Sequence, residues 1–371
     1  MKILITGAHI TPAVAVIGQL KKIANVEVVY VGRKTTLEGD KSLSIESKIL
    51  PNLGVKFSPI ITGRLQRSFT IYTIPSILKI PIGLIQAFYI LLSEKPDVIL
   101  SFGGYVAVPV VFAGWLLSIP IIVHEQTLIS GLANKISAAF ADKITVSFNQ
   151  NYPYHKPTVL TGNPLRPEIL GSELLKHLDI FNVAGKEKLP VILIMGGNQG
   201  SHVINLTVDR VLDKLIKMAC IIHVTGDNKF NDFERLDKIK REELGSLENR
   251  YMVRKWIGKD LGLMMKKADL VISRAGINTL LELSLMGKPT LVIPIPYQAE
   301  QIANAKFFEK LGLARILPQT NLSGKSLLDN IKKMLKSLDK LSDKAKNAKG
   351  VIIPDAAKRL ALETILLAQH E

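Results

Sequence analysis

A single cysteine, Cys220, stands in the 371-residue chain, so no intrachain disulfide framework exists and a reducing compartment is the simplest setting. The apolar run after Lys2 reaches Gly7 and His9 at once, too short for the apolar segment of a signal peptide. No repeat of solenoid period and no low-complexity tract is evident, which sets aside repeat arrays and compositionally biased tails. Seven histidines are present, and none is spaced as a pair of metal ligands. There is also no Asp-x-Asp pair to clamp a metal-bound diphosphate. These absences lead us to expect no obligatory protein-held metal and no cofactor.

What is present is apolar and basic. Hydrophobic residues make up 47% of the chain, enough for large cores, and the net charge is +16. Such a charge suits an anionic partner: nucleic acid, a phospholipid surface or a phosphorylated substrate. No five like charges adjoin, and the lysines between Lys325 and Lys349 read as solvated helix faces. The uncharged run from Val98 to Val123 is long enough to cross a bilayer, but Gly103, Gly104, Pro109 and Pro120 break it. It parses better as a buried strand, a glycine turn, a helix over about Val108–Ser118 and a second strand.

Strands and helices alternate along the whole chain. Expected strands are Lys2–Thr6, Val26–Val31, Asp97–Phe102, Pro120–His124, Lys143–Ser147 and Thr158–Thr161. A second set covers Val191–Met195, Cys220–Thr225, Tyr251–Lys255, Leu270–Ser273, Thr290–Ile293 and Ala314–Leu317. This predicts an α/β protein of two tandem Rossmann-like domains with parallel sheets and an inter-domain cleft. The turn Gly162-Asn163-Pro164 is the expected junction, giving residues 1–162 and 163–353, followed by a C-terminal helix over 354–371 that packs back on the first domain. In such sheets ligands sit beyond the carboxyl ends of the strands, so the loops just after each strand carry the chemistry.

Five stretches stand out. "MGGNQGSHVIN" follows the first strand of the second half and opens a helix; its glycines let the backbone approach an anion, although it is not the dinucleotide fingerprint. "SRAGINTLLELSLMGKP" repeats that logic, and Glu282 on the helix it opens could accept bonds from a ribose diol. Two glycine-containing helix starts in one domain suit a nucleotide diphosphate. "SFGGYVAVP" and "HEQTLISGLAN" place Gly103, Gly104, Tyr105, His124, Glu125 and Gln126 just after strands of the first half, at the same edge as His9. The segment 76–96 is a helix apolar nearly all round; Lys79 lies on it, with Lys56, Arg64 and Arg67 before it. It reads either as a core helix or as a face for an anionic membrane.

With these loops in order, the chain resembles the MurG family of peripheral membrane glycosyltransferases with a GT-B fold. The resemblance is carried nearly end to end by "PDVILSFGGYVAVP", "IPIIVHEQTLISGLANK", "TGNPLRPEIL", "ILIMGGNQGSHVIN", "ADLVISRAGINTLLELSLMGKPTLVIPIP" and "QIANAKFFEKLGLA". It implies transfer of N-acetylglucosamine from UDP-N-acetylglucosamine to the 4-hydroxyl of undecaprenyl-diphospho-N-acetylmuramyl-pentapeptide, with inversion, in peptidoglycan synthesis. By the family pattern the second domain binds the donor. Asn198, Gln199 and Gly200 would face the diphosphate, and the Ile257 backbone would pair with uracil. Ala275, Gly276, Ile277, Asn278 and Thr279 would line the nucleotide, and Glu282 would hold the ribose. Glu300, Gln301 and Asn304 would touch the sugar, and Arg166 and Thr127 occupy further donor positions.

The first domain would hold the acceptor through Thr6, Gly7, Ala8, His9, Gly103, Gly104, Tyr105, His124, Glu125 and Gln126, with His9 as general base. Arg64, Arg67, Lys79, Ile82, Leu84 and Ile85 would meet an anionic inner-leaflet surface. The resemblance thus implies a peripheral protein of the cytoplasmic membrane face, without a transmembrane helix, with other cell-wall enzymes as partners and no nucleic acid. Three positions depart from the family. "TGAHITP" is shorter than the family's first glycine loop, Thr127 replaces asparagine, and Asn198 replaces serine. The alternatives are a transferase using another lipid such as a diacylglycerol, a UDP-sugar-binding subunit without activity, and a nucleic-acid-binding protein.

Overall fold

The computed structural model describes residues 1–35, 44–63, 73–170, 189–197, 199–258 and 260–369. The chain divides into two compact units: Met1–Arg166 together with Ile353–Glu371, and Pro167–Ile352.

The first unit carries β1 (Lys2–Thr6), β2 (Glu27–Gly32), β3 (Lys56–Pro59), β4 (Val98–Ser101), β5 (Ile121–Glu125), β6 (Lys143–Val146) and β7 (Thr158–Leu160). Its helices are α1 (Ile10–Ile23), α2 (Ile45–Ile49), α3 (Thr73–Glu94), α4 (Ala107–Leu116) and α5 (Leu132–Phe140), joined by a C-terminal helix, Ala356–Gln369. The second unit carries β8 (Val191–Met195), β9 (Cys220–Val224), β10 (Tyr251–Arg254), β11 (Leu270–Ser273), β12 (Thr290–Val292) and β13 (Ala314–Ile316). Its helices are α6 (Pro167–Leu170), α7 (His202–Asp209), α8 (Leu212–Leu215), α9 (Asp232–Glu243), α10 (Leu261–Lys267), α11 (Ile277–Met286), α12 (Ala299–Lys310), α13 (Gly324–Lys336) and α14 (Leu338–Lys346), which makes the C-terminal helix α15.

Both sheets are parallel. The first runs in the order β3-β2-β1-β4-β5-β6-β7 and the second β10-β9-β8-β11-β12-β13. Each therefore grows outward in both directions from a central pair, β1 with β4 and β8 with β11. The two members of each pair end level, since Thr6 pairs with Ser101 and Met195 with Ser273. Alternation along the strands feeds two cores. In β1, Ile3 and Ile5 face a layer of α1 and α15, where Val16, Leu20, Leu360 and Ala361 are buried. Leu4 faces the other side, against Ala87 and Leu91 of α3 and Val110 of α4. The second sheet buries Ile192 and Ile194 against Ile204, Val208, Leu327 and Ile331 from α7 and α13.

The twelve expected strands all form, within one residue at each end. One strand escaped the sequence reading: β3 is short, carries Lys56 and Ser58, and pairs with β2 at the sheet edge. Lys56, expected beside the cations of the membrane helix, instead forms a 2.6 Å ion pair with Glu94 at the far end of α3. The division between units falls after Arg166, and Gly162 is held inside the first unit because its backbone touches Ile353 and Ala356. The run from Val98 to Val123 is β4, α4 and β5, and no helix among the described residues is long and apolar enough to cross a membrane.

Candidate functional site

Where strand order reverses, the loops leaving two adjacent strands diverge and open a crevice at the carboxyl edge. In the first unit those loops are Gly7–His9 after β1 and Gly103–Gly104 after β4. They interlock: the Ala8 amide donates to Gly103 O at 3.0 Å, and the Phe102 amide donates to Thr6 O at 2.8 Å. Gly103 and Gly104 have φ of +72° and +82°, and a side chain on Gly104 would strike Ala8. The turn delivers the start of α4 with no side-chain cap. The amides of Gly104, Tyr105 and Val106 have no hydrogen-bond acceptor among the described residues. Three unsatisfied amides at the start of a ten-residue helix make an anion seat.

His9 sits at the N-cap of α1 beside this seat. The surrounding protein lowers its pKa to about 4, and the nearby Arg33 guanidinium adds to the effect. The ring is therefore neutral at working pH, with a nitrogen lone pair available to take a proton. Thr6 is buried and Tyr30 donates to Gly7 O at 2.8 Å, so both serve the loop's shape.

The residues that end and follow β5, expected to line the acceptor edge, are buried and bonded mostly within the unit; of His124, Glu125, Gln126 and Thr127, only Gln126 keeps a buried side-chain oxygen without a hydrogen-bond partner among the described residues. His124 is fully buried, with Nδ1 3.0 Å from Thr145 Oγ1 and Nε2 3.3 Å from Ser147 Oγ. Glu125 accepts from the Thr127 amide, the Asn134 amide nitrogen and the Tyr154 hydroxyl at 3.1, 3.0 and 2.8 Å. Gln126 is buried and donates to Phe102 O at 3.1 Å. The Thr127 hydroxyl lies 3.0 Å from Glu125 Oε1 and 2.8 Å from Ile129 O. Asn134, absent from the expected set, links this network to the glycine turn, because its Oδ1 fills the space a side chain on Gly103 would need. Only the tertiary packing of α5 reveals it.

In the second unit the crevice lies between the loops after β8 and β11. Asn198 falls outside the described residues. Gln199 is exposed, and Gly200, with φ of +73°, presses against the Thr225 carbonyl so closely that a side chain would collide with it. Gly276 opens α11 without a side-chain cap, as Ser201 opens α7. Ala275 and Ile277 are buried, while Asn278 and Thr279 reach the surface in part. Glu282 is fully buried on the next turn of α11.

Ile257 follows β10 with its side chain buried. Its backbone N–H and C=O make no hydrogen bond among the described residues. On α12, the Gln301 Oε1 accepts from the Ile295 amide at 3.1 Å and holds the preceding loop, while its amide nitrogen has no partner among the described residues. Glu300 is partly exposed. Asn304 is fully buried and its amide nitrogen donates to Ala275 O at 3.0 Å, which braces the β11 loop, while its Oδ1 has no hydrogen-bond partner among the described residues.

A residue missing from the sequence reading joins the two loops. Arg274 donates to Ser201 Oγ at 2.7 Å and to Ile293 O at 3.0 Å. Burial lowers its pKa to about 10, which leaves it charged, and no carboxylate pairs with it among the described residues. A buried cation with no carboxylate partner beside a glycine loop would be balanced by an anion bound there. Arg166 and Thr127 belong to the first unit, the former as the last residue before the chain passes into the second. Of the expected membrane residues, Arg64 and Arg67 lie outside the described residues. Ile82 and Ile85 are exposed, Lys79 is half-buried, and Leu84 turns inward against the core.

The model of the glycosyltransferase family 28 N-terminal domain matches residues 6–146, and that of the family 28 C-terminal domain matches residues 191–360. The chain is 37% identical over 344 residues to the UDP-N-acetylglucosamine–N-acetylmuramyl-(pentapeptide) pyrophosphoryl-undecaprenol N-acetylglucosamine transferase of Clostridium kluyveri, covering 90% of this chain and 91% of that protein. It is 33% identical over 358 residues to the protein of the same name from Clostridium tetani, covering 94% and 93%. Among solved structures, Acinetobacter baumannii MurG shares the fold with a TM-score of 0.71 at 24% identity, over 98% of this chain and 99% of that one.

The buried histidines set an acid limit on stability. Burial lowers His124 to about 3, with His9 beside it adding to the effect and a hydrogen bond with Asn163 opposing it. Burial lowers His223 to about 3 as well, with Asp232 opposing the shift and Arg235 adding to it. Their unfolded value is 6.5, so between there and about 3 the unfolded chain binds more protons, and stability falls as pH falls. Each histidine contributes a slope of about 1.4 kcal/mol per pH unit within that window. Urea midpoints should decline steadily from about pH 6.5 to 4.5, and His124→Asn should flatten the decline. A midpoint constant over that range would refute this account.

Proposed function

This chain belongs to the MurG family of glycosyltransferase family 28, and on that premise we propose that it moves N-acetylglucosamine from UDP-N-acetylglucosamine to the 4-hydroxyl of undecaprenyl-diphospho-N-acetylmuramyl-pentapeptide. The observation that carries the reading is the pairing of two anion seats of different character. One, at the start of α4, lies beside a neutral histidine; the other, at α7 and α11, lies beside a buried arginine. A diphosphate-linked acceptor needs the first and a nucleotide diphosphate the second.

His9 takes the proton from the acceptor hydroxyl as its oxygen attacks C1 of the donor sugar. The bond from C1 to the β-phosphate oxygen breaks, and UDP leaves with both electrons. Arg274 and the amides opening α7 and α11 hold the charge that develops on it. One displacement without a covalent enzyme intermediate inverts the anomeric centre. The reading needs no protein-held metal, because fixed cations and amides supply the stabilisation. Glu282 receives the ribose hydroxyls, and the Ile257 backbone pairs with uracil. The shortened first loop leaves the acceptor diphosphate to the α4 amides.

The protein also attaches peripherally to the cytoplasmic face of the membrane. On α3, Leu78, Ile82, Ile85, Tyr89 and Leu92 are all exposed and recur at helical spacing, a solvent-facing apolar stripe that no neighbouring element covers within the described residues. Such a stripe on a basic protein suits an anionic bilayer.

Transfer of labelled sugar to a short-chain acceptor analogue in the presence of EDTA tests the chemistry. Product should form. His9→Ala should lower kcat by about 10²–10⁴ with UDP affinity unchanged. Glu282→Ala should weaken donor binding first. A His9→Ala enzyme with normal turnover removes the base assignment, and an unchanged donor Kd in Glu282→Ala removes the ribose role. Because His9 stays deprotonated above about pH 4, kcat should hold level from pH 8 down to about 5 instead of falling near 6.5. For attachment, the double variant Ile82→Ser, Ile85→Ser should lose co-flotation with anionic vesicles; retained flotation would place the contact elsewhere.

A further inference from the structure

One cavity of the first unit is not used by the chemistry above. It has a volume of about 400 Å³ and lies between α3, α4 and α5, within the size range of ligand pockets. Its lining is almost wholly apolar, from Ile80, Leu84, Val108, Phe112, Ile136 and Phe140. The face of α3 that is core at Ala87 and Leu91 continues to Leu84 and Ile80, where the packing opens into this space. It is distinct from the outward stripe of α3.

We propose that this pocket seats the isoprene units nearest the diphosphate of the polyprenyl-linked acceptor, a proposal that rests on the acceptor reading above. The pocket is continuous with the anion seat. Both walls of the pocket begin at the glycine turn that forms the acceptor anion seat. On one side, Tyr105 follows Gly103 and Gly104 directly, offers its amide to the seat and lines the pocket. On the other, Asn134 abuts Gly103 while its neighbours Leu132 and Ala133 line the pocket. A hydrocarbon joined straight to a diphosphate fits this layout, with the anion on the α4 amides and the first carbons entering beside Tyr105. A glycerophospholipid puts a glycerol between phosphate and chain, and so does not match it. His9, the glycine turn and the pocket then follow the order of hydroxyl, diphosphate and prenyl chain along one acceptor.

The protein carries its own reporter. Trp115 packs against Phe112 and Phe140, with ring centroids 5.8 and 5.1 Å away, and the only other tryptophan is Trp256. In the full-length Trp256→Phe protein, geranyl diphosphate should produce a saturable change in Trp115 emission. Inorganic diphosphate and dihexanoyl phosphatidylglycerol should bind at least about tenfold more weakly. Ala133→Phe and, as a second filling variant, Ile136→Phe should each weaken geranyl diphosphate by about tenfold. UDP affinity and thermal midpoint should stay unchanged. Equal affinity for inorganic diphosphate, equal affinity for the phospholipid, or wild-type binding in folded filling variants would each overturn the proposal. Absence of sugar transfer with geranyl diphosphate binding intact would sink the transferase reading and still support the pocket.

Discussion

Both halves of this protein depend on one constraint, the reversal of strand order at the centre of a parallel sheet. Crossovers wind outward from β1 and β4 in one unit and from β8 and β11 in the other, so the loops leaving each central pair part company. Because Thr6 ends level with Ser101 and Met195 with Ser273, the parted loops start at the same height. His9, Arg274 and Glu282 all sit on such a loop or on the helix it opens, whereas Ile257 follows the edge strand β10. Helices that begin there point their free amides into the gap, so the anion recognition proposed for both units would arise from unrelated local sequences.

Holding those loops open takes buried polar structure. In the first unit the Glu125 carboxylate gathers bonds from Thr127, Asn134 and Tyr154, and His124 is fixed against Thr145. In the second, Asn205 donates to Thr225 O and to Asp232, and its Oδ1 lies 3.0 Å from His223, whose other nitrogen meets the Tyr251 hydroxyl. Burial would raise the Asp232 carboxyl, yet hydrogen bonds from Asn205, His202 and Asn228 hold it below its ordinary value. Breaking a bond in such a network leaves a buried polar group unsatisfied, which is costly and keeps the loops they support well defined.

The apolar surfaces of the first unit divide by direction. One face of α3 joins the core and then opens into the pocket, while the opposite face meets solvent along five residues. Composition makes this helix apolar nearly all round; only its neighbours decide which part is core, which is cavity and which is surface. The same division explains why Leu84 turns inward while Ile82 and Ile85 face out.

The alternation of strands and helices, the two sheets and the loops that carry glycines were legible in the sequence, because period-two and helical patterns and left-handed glycine positions are local properties of the chain. His9, Gly103, Gly200 and Gly276 could be named from their place after a strand. The short edge strand β3 could not, since four residues with a lysine and a serine carry no pattern of their own and form only by pairing with β2. Nor could the inward turn of His124, Glu125 and Asn304, or the part played by Asn134 and Arg274. Whether a polar side chain faces a ligand or a neighbour depends on residues distant in sequence: Asn304 meets Ala275 and Arg274 meets Ser201. Local order was thus written in the sequence, whereas the partners of buried polar groups were decided by tertiary packing, because a hydrogen bond inside a protein is chosen by what the fold brings within about 3 Å.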